Sequence, residues 1–434
     1  MLVTVILLFF AVVALVAVLR STVSVVSVIV LQLVASVVGM YLLAQAHDTS
    51  WSVFTGYLMA VCALAVGGWV ARGRRVAVAQ PVRPVRGLSG PVVWSLIGVT
   101  SGFTAYHLVK SGVPIFGANV EIERFDFTSS GFFGIPGRMF LFGLKIAWVV
   151  AAANAAAQGI RWTRSAPWLA ATASLLLASL ASGFKGQILS LALMFVVVWL
   201  LTNHDAFRYW DVVHRFWMLG VAAIGYFLVV AGQYMTYQAS QVSVLQSAIN
   251  RFTTGSAETP ALVLGGGVPG LPTNPLLNDI FYYAWRYARL RPGSEYSLER
   301  AVSASITGVN PVTAVWVVPV NVGGYAELAV SFGVPAAIVG MAGFGFLLGR
   351  LERLPALGAI GNSIRIIFVL VLMAAVVKGG FVYLVANWAA VAAMLAAVGL
   401  LAHLFFDRPD PRRFRPVPLP GSGSPDRVGL EAAR

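Results

Sequence analysis

One stretch between the apolar segments, NPLLNDIFYYAWRYARLRPG, sets Phe281, Tyr282, Tyr283, Trp285 and Tyr287 around Arg286, Arg289 and Arg291. Flat rings offer apolar faces to sugar C–H surfaces, and guanidinium forks bind phosphate oxygens in pairs. Together they suit a phosphorylated glycolipid, although aromatic residues also gather at membrane interfaces without any ligand. Glu327, in GGYAELAVSFG, begins an apolar run beside this stretch. An acid there suits a general base, and equally an acid placed at the positive end of a helix dipole. Glu258 follows Arg251 in RFTTGSAETP, and Glu295 and Glu299 lie in GSEYSLER.

A second polar segment, KSGVPIFGANVEIERFDFTSSGFFGIPGR, carries Glu121, Glu123, Arg124, Asp126 and Arg138 among glycines and prolines that break any long helix. Lys145 follows inside an apolar run. A charge is costly in lipid, so its ammonium either faces the bundle interior or a wet cavity, or snorkels to the interface. Lys185 in SGFKGQ and Lys378 in VVKGG occupy very short turns. Each fits an interfacial anchor, or part of a cationic funnel for an anionic ligand. The five histidines are scattered without metal-binding spacing, and the lone Cys62 allows neither an intrachain disulfide nor a cysteine metal site. No metal and no cofactor is expected.

The elements that must hold these residues are membrane helices. Hydrophobic residues make up 59% of the chain and charged residues 11%, against about 25% charge in a soluble domain. Apolar runs of about 20 residues recur from end to end, each long enough to cross a bilayer as a helix. The expected fold is an all-α polytopic transmembrane bundle of about 11 spans, at roughly 1–19, 22–45, 51–71, 90–110, 138–157, 165–183, 186–203, 214–235, 325–349, 363–378 and 381–405. The bundle, 1–405, includes two long loops at 111–137 and 236–324, and residues 406–434 form a Pro- and Gly-rich basic tail expected to be disordered. Within the longer loop, Val242, Leu245, Ile249 and Phe252 recur at helical spacing, one apolar face suited to a membrane surface.

The net charge of +14 sits mostly in short loops, at Arg72–Arg86, Arg161 and Arg164, Arg208 and Arg215, Arg350–Arg365 and in the tail. With alternating spans these fall on one side, expected to be cytoplasmic. The N-terminus and both long loops are then outside and the tail inside. That distribution argues against a nucleic-acid binder.

Four local patterns resemble the bacterial oligosaccharide repeat-unit polymerases, the Wzy-type O-antigen and capsule polymerases. They are Gly112-Val-Pro-Ile-Phe116 followed by Glu121, Glu123 and Arg124; the SGFKGQILSL turn; Asn310-Pro-Val-Thr313; and Tyr325-Ala-Glu327 running to Phe332-Gly333. The resemblance implies a multi-pass protein of the bacterial inner membrane with a long extracytoplasmic loop carrying amphipathic helices. It implies transfer of a growing glycan from undecaprenyl diphosphate to an incoming lipid-linked repeat unit, metal-independent, with a flippase and a chain-length regulator as partners besides membrane lipid. By position the resemblance carries over Arg124, Lys185 and Glu327; from the residues themselves, Glu327 is the first choice of catalytic base and Glu258 the second. Arg124, Lys185, Arg251, Arg286 and Arg289 form the expected diphosphate clamp, and Tyr283, Trp285 and Tyr325 line the sugar. An O-antigen ligase-like transferase and a lipid-linked oligosaccharide transporter are the alternatives.

Overall fold

The computed structural model describes residues 23–72, 87–117, 135–182, 185–202, 208–235, 250, 254–287, 296–308, 310, 320–354 and 358–406. The expected first span, the arginine linker, most of the 111–137 loop, the 242–249 face, the Asn310 element beyond Asn310 itself and the tail lie outside the described residues.

The described residues are helical, with no strand. The long helices are α1 (Val25–Gln45), α2 (Trp51–Arg72), α3 (Gly90–Ser111), α4 (Leu144–Ala157), α5 (Ala166–Ala181), α6 (Lys185–Thr202) and α7 (Tyr209–Met235). Four shorter ones follow: α8 (Thr254–Leu264), α9 (Pro275–Tyr287), α10 (Leu298–Thr307) and α11 (Gly324–Phe332). The last three are α12 (Val334–Arg353), α13 (Gly358–Lys378) and α14 (Phe381–Phe406). Local chemistry sets several starts. Ser24 and Ser27 cap each other reciprocally ahead of α1, and Ser165 and Ser297 accept backbone N–H groups ahead of α5 and α10.

Seven helices among the described residues are long and apolar enough to cross a membrane: α1, α2, α3, α4 with the turn before it, α12, α13 and α14. The protein is therefore built as a multi-pass membrane protein. The expected span 325–349 is corrected at its start. Gly333 takes φ +87°, a conformation open to glycine, and Pro335 in the first turn of α12 lacks the N–H that would continue the ladder. The run is thus cut into α11 and a spanning α12, and Glu327 belongs to the shorter helix outside the span.

Two ends of the bundle differ sharply. At one, Arg72 pairs with Glu352 at 3.3 Å, and Arg365 donates to the carbonyls of Leu354 and Leu201. At the other, α8, α9, α10 and α11 pack around the turn between α13 and α14, with α8 also against α1 and α9 against α14. A small apolar cluster of Val263, Val268, Leu298, Ala301, Val302, Val322 and Ala326 ties these short helices together.

The closest helix pair is α2 with α12. Gly67 and Gly68 of α2 face Ala342, Gly345 and Gly349 of α12, so the two backbones touch. Without a hydrophobic drive between helices in lipid, such close approach supplies the dispersion contact that holds them. A Cβ at Gly345 would meet the Leu64 carbonyl, whereas one at Gly98 meets nothing within 4 Å. Gly345→Val is expected to lower stability by about 1–3 kcal/mol, read as a lower midpoint of thermal unfolding in detergent, with Gly98→Ala unchanged.

A candidate site at the glycine junction

Two glycine pairs, Gly323-Gly324 and Gly379-Gly380, meet where α11 begins and α13 gives way to α14. The Gly323 N–H donates to the Lys378 carbonyl at 3.0 Å. A Cβ on Gly379 would stand 3.0 Å from the Gly323 nitrogen, and one on Gly324 2.5 Å from the Ala375 carbonyl oxygen. Gly323, Gly379 and Gly380 also hold φ of +83°, +77° and +67°. Both the approach and the backbone conformation require glycine.

Glu327 lies one turn beyond, buried at 2% exposure. Its carboxylate accepts the Phe381 N–H at 3.2 and 3.3 Å, with Gly380 contributing as well. These are orphan donors at the start of α14, so Glu327 caps a helix other than its own. Burial nevertheless dominates and pushes its carboxyl up to about 7, against the pull of those hydrogen bonds.

Two further acids reach the same place from two other helices. Asp279 of α9, at 2% exposure, accepts the Leu298 N–H at 2.9 Å and so helps cap α10. Burial raises it to about 6. Glu299 of α10 is half-buried and points at Gly380, where any Cβ would strike its Oε1. Burial, then the charges of Asp279 and Glu327, raise it to about 8. Glu299 therefore feels the charges of Asp279 and Glu327, and Glu327 feels that of Asp279, so the carboxyls from α9, α10 and α11 titrate as a coupled set. Among the described residues no set of acids, histidines or cysteines converges closely enough to hold a metal.

An aromatic wall closes one side. Tyr283 of α9 is buried, its ring 5.1 Å from Tyr282 and 5.6 Å from Tyr383 of α14. Tyr383 continues to Phe142 at 6.4 Å, and Phe142 to Trp388 at 5.7 Å. Burial and the nearby Glu299 and Asp279 charges push the Tyr283 phenol up, so it keeps its proton and can donate it in a hydrogen bond. Cations stand on the side of α4 and α13. Arg138 donates from Nε to Asn387 Oδ1 at 3.1 Å. Lys145 of α4 is partly covered, Lys378 at the end of α13 is open, and their charges repel.

The residues singled out from sequence fare differently. Glu327 and Tyr283 join the group. Tyr325 is buried but packs edge-on against Tyr57 of α2 at 5.7 Å, in the α2–α11 contact. Glu258 is exposed on α8, and it is not one of the charges acting on the three carboxyls. Trp285 is 39% exposed, on an outward apolar face of α9 shared with Leu277, Ile280 and Phe281. The apolar side of α9 thus faces away from the protein and its polar side faces in, a pattern that suits the membrane interface. Lys185 opens α6 and Arg286 lies in α9, but their side chains, like Arg124, Arg251 and Arg289 altogether, lie outside the described residues. Asp279 was missed, although its spacing to Tyr282 and Tyr283 marks one face of a helix. Glu299 was noted without a role, and Tyr383 and Asn387 carried no signal within an apolar run.

No protein-family model, curated protein or solved structure matches this chain.

The three acids have folded values above their unfolded ones, so each contributes stability that is complete at low pH and is lost as pH rises through the folded value. The thermal midpoint is expected to fall as pH climbs from about 4 and to level off above about 8. Glu299→Gln is expected to flatten that fall, checked by unfolding the purified protein across a pH series.

Proposed function

We propose that this protein is a membrane glycosyltransferase that polymerises undecaprenyl-diphosphate-linked oligosaccharide repeat units into a cell-surface polysaccharide. In this reading the chain makes about 11 spans, with its N-terminus outside and its C-terminus cytoplasmic. It works at the outer face of the bacterial inner membrane, alongside a flippase and a chain-length regulator. The observation that supports it most is the glycine junction, where a buried acid able to exchange a proton near neutral pH sits at a bundle end, between an aromatic wall and basic side chains.

The chemistry follows from those groups. The unprotonated fraction of Glu327 takes the proton of one acceptor hydroxyl. The acceptor oxygen then bonds to the anomeric carbon of the donor sugar as the bond from that carbon to the diphosphate oxygen breaks. The electron pair leaves on the diphosphate, whose charge the Arg124, Lys185, Arg251, Arg286 and Arg289 set neutralises. Tyr283 and its neighbours offer ring faces to the sugar. A carboxyl near 7 divides its population between base and acid at neutral pH, which suits a group that must take a proton and release it each cycle.

A ligase-like transferase would use the same groups once per chain. A proton-coupled transporter of lipid-linked oligosaccharide is favoured by one specific feature, three neighbouring carboxyls raised toward neutral pH. Purified protein in liposomes, given lipid-linked repeat units, separates the readings. A ladder of products supports polymerisation, a single attachment supports a ligase, and translocation without a new glycosidic bond supports a transporter. Glu327→Gln is expected to slow ladder formation by about 10²–10⁴-fold, with Glu258→Gln unchanged. A full ladder from Glu327→Gln at the native rate would contradict the assignment.

A further inference from the structure

Lys145 and Lys378 come from helices that pack along each other, α4 and α13, and their ammonium groups are near enough to repel. Lys145 sits among Leu144, Ile146, Ala147 and Trp148, all buried, so its stem runs inside the bundle rather than along lipid. Lys145 is partly covered and Lys378 is open.

Nothing among the described residues compensates this charge. No carboxylate there lies within ion-pair distance of either lysine. Asp279 and Glu327 are committed elsewhere, to the Leu298 and Phe381 N–H groups, and Glu299, which points at Gly380, is held protonated by burial and by those two charges. Two like charges held near each other at a bundle end cost free energy, which an anion between them recovers.

The backbone ahead of Lys145 carries a second, independent mark. Met139–Gly143 is a π-helical turn inside otherwise α-helical chain, flanked by Arg138 on one side and Lys145 on the other. Such a turn inserts an extra residue and rotates all that follows, at a cost in hydrogen-bond geometry, and it occurs often at functional sites. It resets the direction of Lys145 relative to Arg138, which is turned to Asn387 of α14 at 3.1 Å. Phe142 within the turn packs on Tyr383 and Trp388, which locks it in place.

We propose that Lys145 and Lys378 form an anion seat for a diphosphate, with Arg138 as its outer edge. The seat lies beside the Glu327 junction, since Lys378 directly precedes the Gly379-Gly380 turn. This rests on the proposed function only for the identity of the lipid: the seat itself binds diphosphate, whether free or on a polyprenyl chain. It adds two lysines to the arginines singled out from sequence and sets the charged end of the ligand next to the carboxyl that would take the acceptor proton.

The full-length protein in detergent tests this with two probes, inorganic diphosphate and farnesyl diphosphate, with farnesol as the uncharged control. Thermal shift and equilibrium binding are the readouts. Wild type is expected to be stabilised by a diphosphate and not by farnesol. Stabilisation by farnesyl diphosphate alone identifies a lipid headgroup as the ligand, and stabilisation by both probes identifies a seat open to free diphosphate. Lys145→Met and Lys378→Met are each expected to weaken binding at least about tenfold, the loss of one charge-assisted contact. Without ligand, Lys145→Met is expected to raise the thermal midpoint, because it removes a repelling buried charge, and Lys145→Arg is expected to retain binding. A fall in the midpoint of Lys145→Met would show that this lysine is paired within the protein, and would overturn the proposal. So would a wild type that binds neither diphosphate, or lysine variants that bind like wild type. Diphosphate binding without any ladder of products would leave the seat standing and remove the polymerase reading.

Discussion

The Glu327 carboxylate ends on the N–H groups that open α14, and the Gly323 N–H ends on the carbonyl that closes α13. This one junction joins a short helix outside the spans to the turn between two spanning helices. It needs four glycines: three hold positive φ, and at Gly324 and Gly379 a Cβ would meet the neighbouring backbone. It also needs an acid to satisfy donors that lipid would leave unpaired. The remaining features of this end are arranged around it. Glu299 reaches Gly380 across it, Asp279 caps the helix that carries Glu299, and Tyr283 packs behind both.

The same junction explains why the acids hold their protons rather than simply pairing. Glu327 and Asp279 accept backbone N–H bonds, which favour the charged form, whereas Glu299 feels the charges of both, and burial favours the neutral form of all three. Burial wins in all three. A cation seated among them would have pulled them down, but Lys145 and Lys378 stand to one side, without a carboxylate partner among the described residues. The acids and the cations thus stand on two sides of one turn.

How much of this was legible in the sequence differs by residue. Helicity and the membrane class follow from apolar run length, whereas the cost of charge in lipid leaves Lys145 open to either an inward place or the interface. Glu327 was visible because an acid just ahead of a span is rare, but the helix it caps is 54 residues further along, a partner no local pattern reveals. The Gly-Gly pairs were visible singly and gave no sign that they touch. Asp279 was hidden because α9 inverts the usual rule: its apolar face looks outward, so the side read as buried is exposed and the polar side holds the site. The π turn before Lys145 leaves no composition mark at all, since its extra residue sits in a run of Met, Phe and Leu.

The central claim is that carboxyls at the glycine junction carry protons at neutral pH. A hydrophobic carbodiimide reacts with protonated carboxyls and not with ionised ones, and mass spectrometry locates the adducts. At pH 7 the account requires adducts on Glu299 and Glu327, fading as pH rises through about 7 to 8. Absence of labelling at the junction, or labelling that does not fade as pH rises, would contradict it.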